Sequence, residues 1–105
     1  MKLLTKEVLK QLPPLYATEE EKDPMVWVKF FYPDFHYTWY GIEFDGQDLF
    51  FGLVDGDFVE LGYFRLSELV KNRGKFGLSI ERDRFFRPCR LSALEAKLNR
   101  RQSTE

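Results

Sequence analysis

A chain of 105 residues with 44% hydrophobic side chains is long enough for one domain and too short for two. Its single cysteine, Cys89, excludes a disulfide framework and fits a reducing cytoplasm. The net charge of −1 hides an asymmetry: residues 1–70 carry 6 Lys/Arg against 13 Asp/Glu, and residues 71–105 carry 10 against 4. Such a split points to a basic surface for nucleic acid or an acidic partner, or to the two ends attracting each other within the fold.

The opening Met1-Lys2-Leu3-Leu4 is cut off by Thr5-Lys6-Glu7 before it reaches the length of a secretory apolar core, and no later run approaches a membrane span. Thr5 is placed to cap a short helix from Lys6 to Gln11 or Leu12, with an apolar stripe of Leu4, Val8 and Leu12. Pro13-Pro14 stops it. Glu19-Glu20-Glu21-Lys22-Asp23-Pro24 then reads as a mobile charged loop.

Residues 25–65 hold most of the aromatics in four strand-like runs, 25–32, 37–44, 49–54 and 58–64. The breaks are Pro33-Asp34-Phe35-His36, Asp45-Gly46-Gln47-Asp48 and Asp55-Gly56-Asp57, and Asp-Gly between apolar runs is a strong hairpin signal. An antiparallel meander follows. With those turns, Gly41 faces Gly52, Ile42 faces Phe51, Phe44 faces Leu49, Gly52 faces Glu60 and Phe50 faces Gly62.

One sheet face then carries Tyr40, Ile42, Phe44, Leu49, Phe51, Leu53, Val59, Leu61 and Tyr63, with Phe51 buried. The other carries Trp39, Gly41, Glu43, Phe50, Gly52, Phe58, Glu60, Gly62 and Phe64, joined by Val26, Val28 and Phe30 from the first strand. Glycine weakens a strand unless something must come close or the sheet must bend. The glycine face is therefore either a shallow floor that receives a partner, with Trp39, Gly41, Glu43, Phe50, Gly52, Phe58, Glu60 and Gly62 as its residues, or a site of curvature or tight helix packing. Neither face is cleanly polar, so the sheet is covered on both sides, curled toward a barrel, or closed by a partner.

Residues 65–73 read as a two-turn helix, with Gly74 placed for a left-handed stop. Residues 80–87 read as a fifth strand, at an edge because of its charges and Pro88. Ser92-Ala93-Leu94-Glu95 is a capping box that opens a last helix to about Arg101, with frayed final residues.

Catalytic chemistry finds little support. The lone His36 sits in a turn, and Cys89 beside Pro88 is a structural thiol rather than half of a nucleophile–base pair. Two Cys/His side chains fall short of a zinc set, and the turn aspartates lack calcium-loop spacing. No phosphate-cradling loop is present. No metal or other cofactor is expected. Glu43 and Glu60 remain as a distant carboxylate pair for a hydrolase. Arg82, Arg84, Arg87 and Arg90 around Phe85 and Phe86 form a candidate basic patch for single-stranded nucleic acid, against a salt-bridged edge strand.

Several runs carry a likeness: Leu3-Leu4-Thr5 with Leu12-Pro13-Pro14-Leu15-Tyr16, Val28-Lys29-Phe30-Phe31, Phe51-Gly52-Leu53-Val54-Asp55-Gly56, Glu60-Leu61-Gly62-Tyr63-Phe64 and Ile80-Glu81-Arg82-Asp83. From Leu3 to about Leu94 the chain resembles a small bacterial domain-of-unknown-function family. The resemblance implies a gene carried on plasmids, conjugative elements or phage-like islands. It brings no catalytic residues.

The expectation is one α+β domain over residues 1–105, with a mainly antiparallel four-to-five-stranded meander sheet and short helices before, within and after it. Residues 1–24 form the N-terminal helix and charged loop, 25–65 the meander, 66–90 the helix plus edge strand, and 91–105 the last helix and tail. The expected role is a non-enzymatic module that binds a host or defence protein in the cytoplasm, away from membranes, with nucleic-acid binding as the alternative.

Overall fold

The computed structural model describes residues 2–103, with side chains through residue 100. Helix α1 (Lys6–Gln11) is followed by strands β1 (Met25–Val26), β2 (Val28–Phe31), β3 (Thr38–Phe44), β4 (Leu49–Asp55) and β5 (Val59–Arg65). Then come α2 (Leu66–Lys71), β6 (Glu81–Arg82), β7 (Cys89–Arg90) and α3 (Leu91–Ser103). The fold is α+β: a five-stranded antiparallel sheet in the order β5-β4-β3-β2-β6, with β1 and β7 pairing beside it. The expected fraying of the last residues concerns Thr104 and Glu105, which lie outside the described residues.

Turns form at both Asp-Gly positions, but neither closes at the expected pair: Asp45 and Leu49 close the one, Asp55 and Val59 the other. Asp45 Oδ1 accepts from the amides of Gln47, Asp48 and Leu49, which keeps its carboxyl below the usual range, and Gly46 takes the positive φ of 86° that the turn requires. Thr5 caps α1 through Val8 N at 3.3 Å.

Two registers differ from expectation. Gly41 faces Gly52, but β3 then bulges, so Glu43 faces Phe51 and Phe44 faces Phe50. A bulge inserts one residue and flips every later side chain to the other face. Phe44 and Glu43 therefore exchange sides. On β5 the turn falls one residue later, over Gly56-Asp57-Phe58, so Gly52 faces Gly62 and Phe50 faces Phe64 rather than Glu60 and Gly62. This slip is two residues in pairing and leaves the faces of β5 unchanged.

Both faces of the sheet are covered. On the glycine side, Val28, Phe30, Trp39, Phe44, Phe50 and Phe64 pack under Leu3, Leu12, Leu69 and Ile80. Phe50 stacks between Phe44 at 4.3 Å and Phe64 at 5.0 Å, with Phe30 edge-on at 5.6 Å. On the other side Tyr40, Ile42 and Leu53 meet Leu91, Leu94 and Leu98, the buried stripe of α3. Val26 lies in this second core, not on the glycine face, because the first strand breaks at Trp27. Val26 pairs with Cys89, while the Trp27 amide donates to the Gly41 carbonyl at 2.9 Å. Phe51, expected to be buried, is only half-buried, and Phe50 is the fully buried ring.

Three further expectations are corrected. Asn72, not Gly74, ends α2, its amide donating to the Glu68 carbonyl at 3.0 Å. Gly74 has no positive φ; it is small because a Cβ there would run into the Asp34 carboxylate. The fifth strand shrinks to Glu81–Arg82, since Asp83 Oδ1 accepts from Phe85 N at 2.9 Å and turns the chain.

The third correction concerns Ser92, which caps nothing itself. Arg65-Leu66-Ser67-Glu68-Leu69 and Arg90-Leu91-Ser92-Ala93-Leu94 are two copies of one arrangement. In each, an arginine ends a strand and a leucine opens a helix. Asp48 accepts from Ser67 N at 2.8 Å and Ser67 Oγ at 2.9 Å, and Asp23 accepts from Ser92 N at 2.8 Å and Ser92 Oγ at 2.7 Å. The Leu66 amide meets the Asp48 carbonyl at 2.8 Å, and the Leu91 amide meets the Pro24 carbonyl at 2.9 Å. A distant aspartate thus satisfies each helix start and stitches it to an earlier strand. The Ser92 hydroxyl, then the Ser92 amide, holds the Asp23 carboxyl below its usual range.

Truncating Phe50 to Ala should cost about 3–5 kcal/mol in urea unfolding, whereas Phe51→Ala should cost less than about 2 kcal/mol. Equal losses would contradict the bulged register.

Candidate functional site

The bulge sends Glu43 to the side of the sheet where the chain returns from α1. The residue is 4% exposed. Glu43 Oε1 accepts from Tyr16 N at 2.8 Å, and Oε2 accepts from Thr18 N at 2.8 Å and from the Thr18 hydroxyl. A buried carboxylate is tolerable only when its oxygens are satisfied, and here three donors satisfy them. The backbone at Tyr16 takes a positive φ of 69°, unusual for an aromatic residue, and the Glu43 bond to its amide helps hold it there. The segment expected to be a mobile charged loop is thus tied at both ends, to Glu43 through residues 16 and 18 and to Ser92 through Asp23.

Above Glu43 lies a half-open cavity of about 360 Å³. Phe51, Leu61, Tyr63 and Leu91 form its apolar wall, and Tyr16, Thr18, Glu19, Glu21 and Lys22 line the remainder. Tyr16 is 63% exposed, Leu61 48% and Tyr63 54%. The surrounding protein displaces water from the Tyr63 hydroxyl and raises its pKa. The neighbouring Tyr16 hydroxyl and the Glu43 and Glu19 carboxylates act in the same direction. The phenol is neutral near pH 7 with or without this shift, and its hydrogen bond with Tyr16 favours keeping the proton.

This cavity borders the outer edge of β5. Its seven residues, Val59–Arg65, pair only with β4 among the described strands. At its C-terminal end Arg65 is also the N-cap of α2, so its carbonyl accepts the first bond of that helix; ahead of Arg65 the outer edge has no partner strand among the described residues. The opposite edge of the sheet is the two-residue β6, which carries Glu81 and Arg82. One edge is short and charged; the other is long, unbulged and free of proline and lysine.

The glycine-face candidates divide. Trp39, Gly41, Phe50 and Gly52 are buried beneath the N-terminal segment and α2. A Cβ on Gly41 would strike Val28 Cγ1 at 2.7 Å, and one on Gly52 would run into the Tyr40 carbonyl oxygen. These two glycines serve close approach of neighbouring strands. Phe58 at 75% exposure, Glu60 and Gly62 remain on the surface toward β5. Glu43 has left for the other face, so Glu43 and Glu60 are not brought together.

The basic patch divides too. Arg82 donates to the carbonyls of Lys2 and Leu3 at 3.4 Å, and Arg90 to the Asp23 carbonyl at 3.3 Å, so both clamp the fold. Arg84 and Arg87 are exposed and have no partner among the described residues; Phe85 between them is 87% exposed. His36 leans on Asp57 at 3.4 Å. Burial pushes the Cys89 thiol up, with Lys97 opposing weakly. Among the described residues no group of His, Cys, Asp and Glu is arranged to hold a metal, and no helix is long and apolar enough to cross a membrane.

Sequence reasoning missed the bulge, the carboxylate anchor it creates and the paired aspartate clasps. The repeated Arg-Leu-Ser-x-Leu was the available signal for the clasps. Replacing Glu43 by Ala strands three donors and should cost on the order of 3 kcal/mol in urea unfolding. Glu43→Gln, which keeps two acceptor-side contacts at most, should cost about half as much. A loss below about 0.5 kcal/mol for Glu43→Ala would show that the residue 16–18 turn does not depend on this carboxylate.

Neither the curated proteins nor the solved structures contain a match to the chain. A family profile does match, over residues 3–103, and so extends past the resemblance that ended near Leu94. The chain belongs to the family described as protein of unknown function (DUF2958).

Proposed function

We propose that this chain is a non-enzymatic protein-interaction module and that the cavity over Glu43 is its docking surface. The observation that carries the reading is an apolar wall left exposed in an otherwise covered sheet: Leu61 and Tyr63, joined by Tyr16. Its rim is acidic, with Glu19 and Glu21 beside a single Lys22. The fitting partner presents an apolar side chain flanked by lysine or arginine, and the neutral Tyr63 hydroxyl offers it a hydrogen bond. The resemblance supports a mobile genetic element as the setting and a host or defence protein as the partner. The lone Cys89 is consistent with work in the cytoplasm.

A second reading, nucleic-acid binding, draws on Arg84 and Arg87, which have no partner among the described residues, around the exposed Phe85. Two arginines make a small electrostatic footprint, worth a salt slope of only about −1.4 on a single strand. The docking reading therefore ranks first.

Capture from a host extract separates the two. Wild-type protein should retain a partner whether or not nucleic acid is digested. Glu19→Lys with Glu21→Lys, and independently Tyr16→Asn, should lose it while the unfolding free energy changes by about 0.5 kcal/mol or less. Asn suits the left-handed backbone at position 16. Capture that survives these changes but disappears on nuclease treatment or with Arg84→Ala and Arg87→Ala would overturn the docking reading in favour of nucleic acid.

A further inference from the structure

We infer that a second copy of this chain pairs antiparallel with β5 across a two-fold axis, joining two sheets edge to edge. The inference rests on the reading of the neighbouring cavity as an interaction surface, and it names what occupies the strand beside it.

A row of unpaired amides and carbonyls is recognised by extended backbone and by little else. Symmetry then restricts the register. A two-fold axis perpendicular to a sheet keeps each residue on its own face, so some residue of β5 must lie opposite itself. Gly62 is the midpoint of Val59–Arg65, and only with Gly62 on the axis do all seven residues find partners. Leu61 then lies opposite Tyr63 of the second copy, and Tyr63 opposite its Leu61, on the cavity side. Val59 meets Arg65, and Glu60 meets Phe64. No like charges oppose each other, whereas centring on Glu60 or Arg65 would place two carboxylates or two guanidiniums face to face. Asp57 falls diagonal to Arg65 of the second copy, an opposite-charge neighbour.

The side chains suit this use. Leu61 and Tyr63 are half exposed in one copy; across the axis each would cover the other's edge-facing flank, while the flank toward Phe51 and Tyr16 stays open to the cavity. At Gly62 a Cβ would meet nothing within 4 Å, so nothing inside one copy demands glycine there. At an axis where two strands approach to roughly 4.5–5.5 Å between Cα atoms, its smallness is useful. Pairing would also bring the two acid-rimmed cavities onto one continuous surface.

Sedimentation equilibrium tests the mass, and cysteine cross-linking tests the register. The purified chain should show a concentration-dependent mass approaching twice 12.6 kDa. In a Cys89→Ser background, Gly62→Cys should form a disulfide-linked dimer under mild oxidation, and Glu60→Cys should not, because the expected Cα separation suits a disulfide only at the axis. Leu61→Lys should return the chain to monomer with its unfolding midpoint retained. A monomer at all accessible concentrations without Gly62→Cys cross-linking would overturn the inference. A dimer that cross-links equally through Glu60→Cys, or that persists with Leu61→Lys, would also overturn it. The docking reading stands or falls separately, on whether the changes at Tyr16, Glu19 and Glu21 abolish partner capture.

Discussion

The fold turns on the close approach of β3 and β4 at Gly41 and Gly52. With a side chain at Gly52 the Tyr40 carbonyl could not lie where it does, and with one at Gly41 the Val28 and Phe50 side chains would be displaced. Immediately past this contact β3 bulges. The extra residue sends Phe44 into the aromatic stack with Phe50 and Phe64, and sends Glu43 to the opposite side. An unbulged strand would have buried Glu43 among phenylalanines, where a carboxylate has no donors and would be costly by several kcal/mol. Instead it meets three donors from residues 16 and 18.

That one rearrangement links packing to surface. The chain between α1 and β1 is pulled over the β4–β5 side of the sheet by Glu43 and fastened at its far end by the Asp23 clasp on α3. It covers part of that face and leaves a cavity beside Leu61 and Tyr63. Helix α3 closes the rest with Leu91, Leu94 and Leu98. The glycine side is sealed by the N-terminal segment and α2, so the apolar surface that remains beside an open edge is on β5.

How much of this was legible in the sequence differs by element. Strand positions followed from alternation and Asp-Gly turns, because those signals are local. The Gly41–Gly52 pairing followed only because two displacements cancel: the turn sets Phe44 opposite Phe50 rather than Leu49, and the extra residue of the bulge restores the expected register beyond it. The bulge did not, since one extra residue changes no local propensity and is decided by where Glu43 can find donors 25 and 27 residues earlier in the chain. The fate of the arginines was equally hidden: Arg82 and Arg90 spend their charge on carbonyls at the N-terminal end and at Asp23, contacts that only the folded topology creates. The glycines were noticed for the right physical reason, closeness. The surface they were expected to form is largely interior at Gly41 and Gly52, and exposed only toward Gly62.

The bulge can be observed directly. In solution NMR spectra, cross-strand contacts between backbone protons should join Gly41 to Gly52, then Glu43 to Phe51 and Phe44 to Phe50, with Ile42 lacking an opposite partner. A regular ladder in which Ile42 faces Phe51 and Phe44 faces Leu49 would return Glu43 to the aromatic face and contradict this account of both the core and the cavity.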